Sequence, residues 1–176
     1  MNLFFLIVIF YIIGSIPFGL ILSFLLNKED PRLLGSKNIG ATNVARVAGW
    51  KVGFLTLIFD ILKAYIPFIL IDLDQKEKLI LSTFLFLGHL FPVWLKFRGG
   101  KGIAVFIGIL FGLSYIYGII FIVSWLIFAI LFKYSSLSAL ASSMIILVVS
   151  IIDGEKSLLW LLSFFNLMIF LKHKDN

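Results

Sequence analysis

The chain has 176 residues, 61% of them hydrophobic and 14% charged, with a mean hydropathy of +1.13; this composition excludes an ordinary water-soluble domain and makes the bilayer the solvent to assume. A spanning helix uses about 20 apolar residues, so the length allows roughly six or seven short spans and no separate soluble domain, and residues 1–176 read as a single polytopic membrane domain. Cysteine is absent, which excludes a disulfide framework, a cysteine-ligated zinc site and a thioester on the protein, while the net charge of +6 gains meaning only once the charges are assigned to sides.

The first apolar run, Leu3 to Leu26, lacks a basic leader and an Ala-x-Ala-like cleavage site and reads as a retained helix rather than a signal peptide. A long polar loop, Asn27 to Lys51, follows. The second run, Val52 to Ile71, carries Asp60 and Lys63 three residues apart, on one helical face. At bilayer depth two such charges either wall a polar cavity or neutralise each other as a structural pair, and spacing alone leaves both readings open. The third run is Leu79 to Leu95. The fourth, Ile103 to Phe132, has thirty residues. One straight helix of that length would measure about 45 Å against a hydrocarbon core of about 30 Å, so a helical hairpin turning near Gly112 to Gly118 is expected. Leu137 to Ile152 and Leu158 to Leu171 complete the set.

Cytoplasmic loops carry the excess of lysine and arginine. With a hairpin in the fourth run, Lys28, Arg32, Lys37, Arg46, Lys51, Lys96, Arg98, Lys101, Lys133, Lys172 and Lys174 share one side, eleven of the fifteen basic residues. The other side holds Lys76, Lys78 and Lys156 among Asp72, Asp74, Glu77, Asp153 and Glu155. The expected fold is therefore all-α integral membrane, a bundle of seven short transmembrane helices with the N-terminus out, the C-terminus in and a helical hairpin in 103–132.

Four polar clusters fall on the basic side. The first, Gly35 to Arg46, interleaves glycines with Ser36, Lys37, Asn38, Gly40, Thr42 and Asn43. Glycines let consecutive N–H groups point one way, and with Lys37 and Arg46 they form a cradle for an anion such as phosphate; a loop that only fixed topology would need none of the small polar residues. The second holds His89 and, after Pro92, the run Arg98-Gly99-Gly100-Lys101-Gly102 entering a helix at Ile103. It is not a nucleotide-binding P-loop, since Leu95 stands at the first glycine position and Gly102 at the Ser/Thr position. It still offers backbone N–H groups, a favourable dipole end and a flexible cation. The third cluster is Tyr134 to Ala139, with Ser136 and Ser138, and the fourth is the tail Lys172-His173-Lys174-Asp175-Asn176. Alone, the serines read as caps and packing groups. No His/Asp/Glu spacing suits a metal, so none is expected, and no cofactor is implied.

GSIPFG from Gly14, GSKNIGATNVARVAGW from Gly35, GHLFPVWLKFRGGKGIA from Gly88 and the final HKDN together closely resemble the acyl-phosphate:glycerol-3-phosphate acyltransferase family, PlsY. The resemblance implies a seven-helix enzyme of the bacterial inner membrane with its site on the cytoplasmic face. Such an enzyme transfers a fatty acyl group from acyl phosphate to the sn-1 hydroxyl of glycerol 3-phosphate and gives the lysophosphatidic acid that begins phospholipid synthesis. Residue by residue it brings Ser36, Asn38, Thr42, Asn43 and Arg46 to the site, with His89, Arg98, Gly99, Gly100, Lys101 and Gly102 from the second motif. Ser136, Ser138, His173 and Asn176 complete the pocket. Family members often carry a second serine where this chain has Ala139, and they usually continue past the final asparagine with an Arg-containing, Glu-ending tail. The His-then-Asp motif of soluble-type acyltransferases is not matched, because Trp94 stands five places after His89. The partners implied are glycerol 3-phosphate, acyl phosphate and membrane lipid, not nucleic acid, and a monomer is compatible with all of this.

Acyl phosphate is an activated mixed anhydride, so its phosphate departs without a strong acid or a protein nucleophile. The expected roles are then Lys101, Arg46 and backbone amides on the two phosphates, and Ser36 and Asn176 orienting the hydroxyl and carbonyl. His89, His173 or the substrate's own phosphate would accept the proton. The competing function, a membrane transporter of a small organic anion, would call for polar residues through the whole bilayer depth, whereas the extracellular halves of these runs are nearly all apolar.

Overall fold

The computed structural model describes residues 2–173, and every regular element among them is a helix. The α-helices in chain order are α1 (Leu3–Ser15), α2 (Phe18–Leu25), α3 (Ala41–Ala48), α4 (Trp50–Leu70), α5 (Gln75–Leu90), α6 (Ile103–Leu113), α7 (Tyr115–Phe132), α8 (Ser135–Asp153) and α9 (Lys156–His173), with one 3-10 turn at Val93–Leu95. Three of the six apolar runs differ from one plain helix, and each difference has a local cause.

The first run is broken into α1 and α2, bent by 45°. Pro17 has no N–H to give and forces the preceding residue out of helical geometry; Ile16 accordingly sits at φ −65°, ψ 116°. The third run starts four residues early, at Gln75, where Asp74 and Glu77 make a reciprocal capping box. It stops at Leu90, ahead of Pro92. The fourth run is the expected hairpin. Helix α6 ends at Leu113, Ser114 is extended, and α7 returns along α6, so that the Phe106 and Phe121 rings lie 5.4 Å apart although fifteen residues separate them. The turn is tight because Gly118 leaves room for the Phe111 ring.

The polar loop contains a helix that composition did not announce. Helix α3 buries Asn43, Val44 and Ala48, and its apolar edge packs with Val52 and Leu22. Gly49, at φ +97°, then turns the chain into α4, and Gly53 lets the two helices close on Ala45.

Helix α1 packs along α5, α4 and α7 both pack along α6, and α7, α8 and α9 follow one another. The centre is aromatic: Phe86 on α5, Phe165 on α9 and Phe106 on α6 interlock at centroid separations of 4.4 and 5.9 Å. Outward faces are also apolar, with Phe4, Leu25, Ile130, Ile152 and Trp160 all well exposed, as lipid contact requires. Four segments (α4, Gln75–Leu95, α7 and α8) are long and apolar enough to cross a membrane, and the bent pair α1–α2 makes five. Helix α6, with 11 residues, is about 16 Å long and shorter than a hydrocarbon core of about 30 Å.

Candidate active site

A cavity of about 980 Å³ opens where the first, second and third polar clusters meet, with His173 at the end of α9 joining them. Its polar end is built by two folded turns.

The first turn is organised by one side chain. The Asn43 carboxamide oxygen accepts from the Ser36 N–H at 2.9 Å, and its amide nitrogen reaches the carbonyls of Pro31, Leu34 and Asn38 at 2.9, 3.1 and 2.9 Å. Asn43 is buried, so these bonds are made away from competing water and fix the loop. Asn38 adds a smaller turn, accepting from the Gly40 N–H at 2.8 Å just before α3 begins. Gly35, at φ +61°, passes so close to the Asn43 side chain that a Cβ there would collide with it. Thr42 and Arg46, four residues apart on α3, then face the cavity with Ser36 and Lys37. Thr42 Oγ1 lies 3.4 Å from Ser135 Oγ, joining this turn to the start of α8. Outside the cavity, Asp30 is paired with Arg32 at 2.7 Å, and the guanidinium hydrogen bonds hold its carboxyl below the usual carboxylate range.

The second turn doubles back on the end of α5. Gly99 and Gly100 donate their N–H groups to the carbonyls of Leu90 and His89 at 3.1 and 3.2 Å. Close approach explains the glycines: a Cβ on Gly99 would strike the His89 carbonyl, one on Gly100 the His89 ring at Nε2, and one on Gly102 the Phe86 ring. Gly102 also takes φ +90°, a region that favours glycine. Neighbouring helices hold the turn from behind. Tyr11 donates to the Phe91 carbonyl at 2.7 Å, Lys172 to that of Leu90 at 3.1 Å, and the Trp94 indole to that of Ser15 at 2.6 Å. Lys101 and Gly102 face the cavity from this turn.

The two histidines are in opposite hydrogen-bonding states. His89 is buried, with Nδ1 3.1 Å from the Lys63 ammonium. An ammonium can only donate, so while Lys63 is protonated Nδ1 accepts and the imidazole proton sits on Nε2, facing Gly100. Lys63 also donates to the Ile16 carbonyl exposed by the α1–α2 break, at 2.6 Å, and pairs with Asp60 at 2.7 Å. His173, also on the cavity, has Nδ1 2.8 Å from the Ile169 carbonyl. A carbonyl can only accept, so there the proton is on Nδ1 and Nε2 keeps its lone pair.

Of the expected residues, Ser36, Lys37, Asn38, Gly40, Thr42, Asn43, Arg46, His89, Lys101, Gly102, Ser136 and His173 line this cavity. Gly99 and Gly100 stand behind it as backbone, and Arg98 points to the exterior. Ser138 does not line the cavity. It is buried inside α8 and donates to the Tyr134 carbonyl at 2.8 Å, one turn back as serines in helices do, and the cavity wall next to Ser136 is Ala139. Asn176 lies outside the described residues. Both readings of the Asp60–Lys63 pair hold at once: it is an ion pair, and Asp60 also borders the cavity. Sequence reasoning missed the apolar half of the cavity, formed by Leu57 and Ile61 on α4, Ile107 on α6, and Ile122 and Trp125 on α7. Nothing in their types separates them from ordinary core residues. No group of acidic, histidine or cysteine side chains able to hold a metal occurs among the described residues.

An all-helical membrane protein with a cationic, glycine-lined cavity continued by an apolar wall is the class these features define. Over residues 4–176 the sequence matches the family described as glycerol-3-phosphate acyltransferase. The glycerol-3-phosphate acyltransferase of Pelagibacter ubique is 40% identical over 168 residues, covering 94% of this chain and 87% of that one. The enzyme of the same name from Brucella ovis is 41% identical over 167 residues, covering 94% and 83%. Among solved structures, PlsY, described as an integral membrane glycerol 3-phosphate acyltransferase, superposes in its glycerol 3-phosphate form with a TM-score of 0.91 at 31% identity, over 100% of this chain and 90% of that one. Its lysophosphatidic acid form gives 0.88 at 30% with the same coverage. The chain belongs to the glycerol-3-phosphate acyltransferase family and is an integral membrane acyltransferase.

Proposed function

We propose that this chain transfers a fatty acyl group from acyl phosphate to the sn-1 hydroxyl of glycerol 3-phosphate at the cytoplasmic face of the inner membrane, releasing lysophosphatidic acid and phosphate. The observation that carries the reading is the shared cavity: Arg46 on α3 and Lys101 in the second turn, far apart in sequence, border one space with apolar walls on α4, α6 and α7. Two phosphates and one acyl chain are the ligand set such a space suits. The names of the relatives, and the glycerol 3-phosphate and lysophosphatidic acid forms of PlsY, support the acceptor and the product.

Arg46 and Lys101, presented by the two internally bonded turns, hold the phosphates and stabilise charge as the phosphate leaves. Ser36, Thr42, Ser136 and Asn176 orient the attacking hydroxyl and the carbonyl. The hydroxyl oxygen forms the new ester bond as the carbonyl–phosphate bond breaks, and its proton passes to His173 Nε2 or to the departing phosphate. His89, whose proton faces Gly100, is a positioning group. Purified protein in detergent, given acyl phosphate and labelled glycerol 3-phosphate, is expected to produce labelled lysophosphatidic acid. Uptake of label into liposomes without product would favour an anion transporter instead. The pH–rate profile separates the bases: His173→Ala is expected to remove the acidic limb attributable to a histidine base while His89→Ala leaves that limb in place. Near-normal activity of His173→Ala would leave the substrate phosphate as the acceptor.

We further read α1–α2, α4, α5, α6, α7, α8 and α9 as seven spans, N-terminus out and C-terminus in, as the distribution of basic residues requires. A chain without cysteine has no background for thiol labelling. Single cysteines at Lys37 or Lys133 are expected to react with an impermeant maleimide only after the membrane is opened, and those at Lys76 or Lys156 in intact cells; the reverse pattern would overturn the orientation.

A further inference from the structure

The apolar half of the cavity is a groove with a floor and two walls. Helices α4 and α7 both pack on α6, and the cavity is bordered in successive helical turns by Leu57 and Ile61 on α4, Ile103 and Ile107 on α6, and Trp125 and Ile122 on α7. One turn further from the polar end stand Tyr65 on α4, four residues after Ile61, and Phe111 on α6, four residues after Ile107; Tyr115, seven residues before Ile122, begins α7. These three rings meet at the surface just beyond the cavity lining, with Tyr115 61% exposed. The hydroxyls of Tyr65 and Tyr115 are 2.9 Å apart, within hydrogen-bonding distance, and their rings lie 6.4 Å apart. The Phe111 ring is 6.3 Å from Tyr65 and 6.4 Å from Tyr115, edge-on to both. Gly118 lets Phe111 seat against α7.

We propose that the Tyr65–Phe111–Tyr115 cluster is the end stop of the acyl groove and sets which acyl chain lengths the enzyme accepts. The inference rests on the transferase reading above, in which the groove receives the donor's chain. Two tyrosines at this place are informative because they hydrogen-bond across α6 and so fasten the two walls together. Aliphatic residues would fill the space but leave the walls free to part. From Ile103 to Phe111 the floor runs eight residues, about 12 Å at the helical rise. A chain reaching past that length must part the tyrosine pair or leave the groove sideways, and either route forfeits contacts that a shorter chain keeps. A fully closed apolar pocket discriminates on the order of tenfold per methylene, and a groove with a surface-exposed end stop discriminates less per methylene.

The test is a competition: purified full-length protein with saturating glycerol 3-phosphate and an equimolar series of acyl phosphates of graded length, reading the lengths in the lysophosphatidic acid formed. The wild-type distribution is expected to fall off beyond one length. In Tyr65→Ala/Tyr115→Ala the fall-off moves to longer chains, with the long-to-short product ratio rising on the order of tenfold. Ile61→Phe narrows the groove one turn before the stop and is expected to move the ratio the other way. Tyr65→Phe/Tyr115→Phe keeps the rings but not the bond between walls, and is expected to fall between wild type and the alanine pair. Wild type and the two tyrosine-pair variants should transfer the shortest chains alike, which separates a specificity change from misfolding. An unchanged distribution in both the alanine pair and Ile61→Phe, with transfer intact, overturns the end stop and leaves the transferase reading standing. Wild-type protein that yields no product from any acyl phosphate overturns both.

Discussion

Lys101→Met is expected to lower kcat/KM on the order of 10²- to 10³-fold while leaving the fold intact, as loss of one preorganised charge at a developing anion does. Lys101 belongs to a turn whose shape comes from elsewhere: the Gly99 and Gly100 N–H bonds to the end of α5, and the carbonyls held by Tyr11 and Lys172. Removing its ammonium therefore changes charge at the cavity while those backbone bonds stay in place. Arg46→Ala should have an effect of similar size, because Arg46 comes from α3, whose entry is fixed independently by Asn43. Arg46→Lys is expected to recover only part of the activity, since a point charge does not reproduce a planar fork on a phosphate. The two losses should differ in kind. If each cation holds one phosphate, one substitution raises KM chiefly for glycerol 3-phosphate and the other chiefly for acyl phosphate. Steady-state kinetics with each substrate varied in turn measures this. Wild-type kinetics in both single variants would remove the phosphate-gripping role from the cavity.

How far the sequence was legible depends on which physics a residue obeys. The hairpin in 103–132 was readable because thirty apolar residues exceed the bilayer, and Ser114 breaks the helix where the argument required. The convergence of the glycine turns was readable as chemistry, since glycine, serine and asparagine beside cations have little reason to gather in a loop that only sets topology. Helix α3 was not: eight residues with two polar side chains in the first turn look like loop, and what makes them a helix is tertiary, the Val44 edge against α4 and the Asn43 bonds behind it. Ser138 shows the limit at a single residue. A serine two positions from Ser136 looks equally available, but two residues along a helix turn about 200°, to the opposite side, and the face that Ser136 presents to the cavity continues three residues on, at Ala139. The apolar groove was invisible for a simpler reason. Isoleucine facing a substrate chain and isoleucine facing another helix obey the same burial rule, so only the packing of α4 and α7 on α6 tells them apart.

Lys63→Met should destabilise the protein by about 3–5 kcal/mol, because it leaves a buried carboxylate without its counter-charge. The Asp60 and Lys63 side chains are each 3% exposed, so water cannot take the place of the missing partner. The same change also strips the donor from the Ile16 carbonyl at the Pro17 break and from His89 Nδ1, three losses from one atom. Asp60→Leu should cost less, since Lys63 then keeps the Ile16 carbonyl and His89 and loses only the carboxylate. The double variant Asp60→Leu/Lys63→Met is expected to recover much of the single Lys63→Met loss, because no charge is left unpaired, a coupling that thermal unfolding of all four proteins in one detergent measures directly. Activity is expected not to recover with it. His89 would still lack the donor that fixes its tautomer, and the Gly99–Lys101 turn that rests on the His89 carbonyl and ring would lose its support. A double variant that is stable yet retains a raised KM assigns Lys63 to positioning the second turn; one that regains both stability and wild-type kinetics reduces the pair to an ion pair between helices.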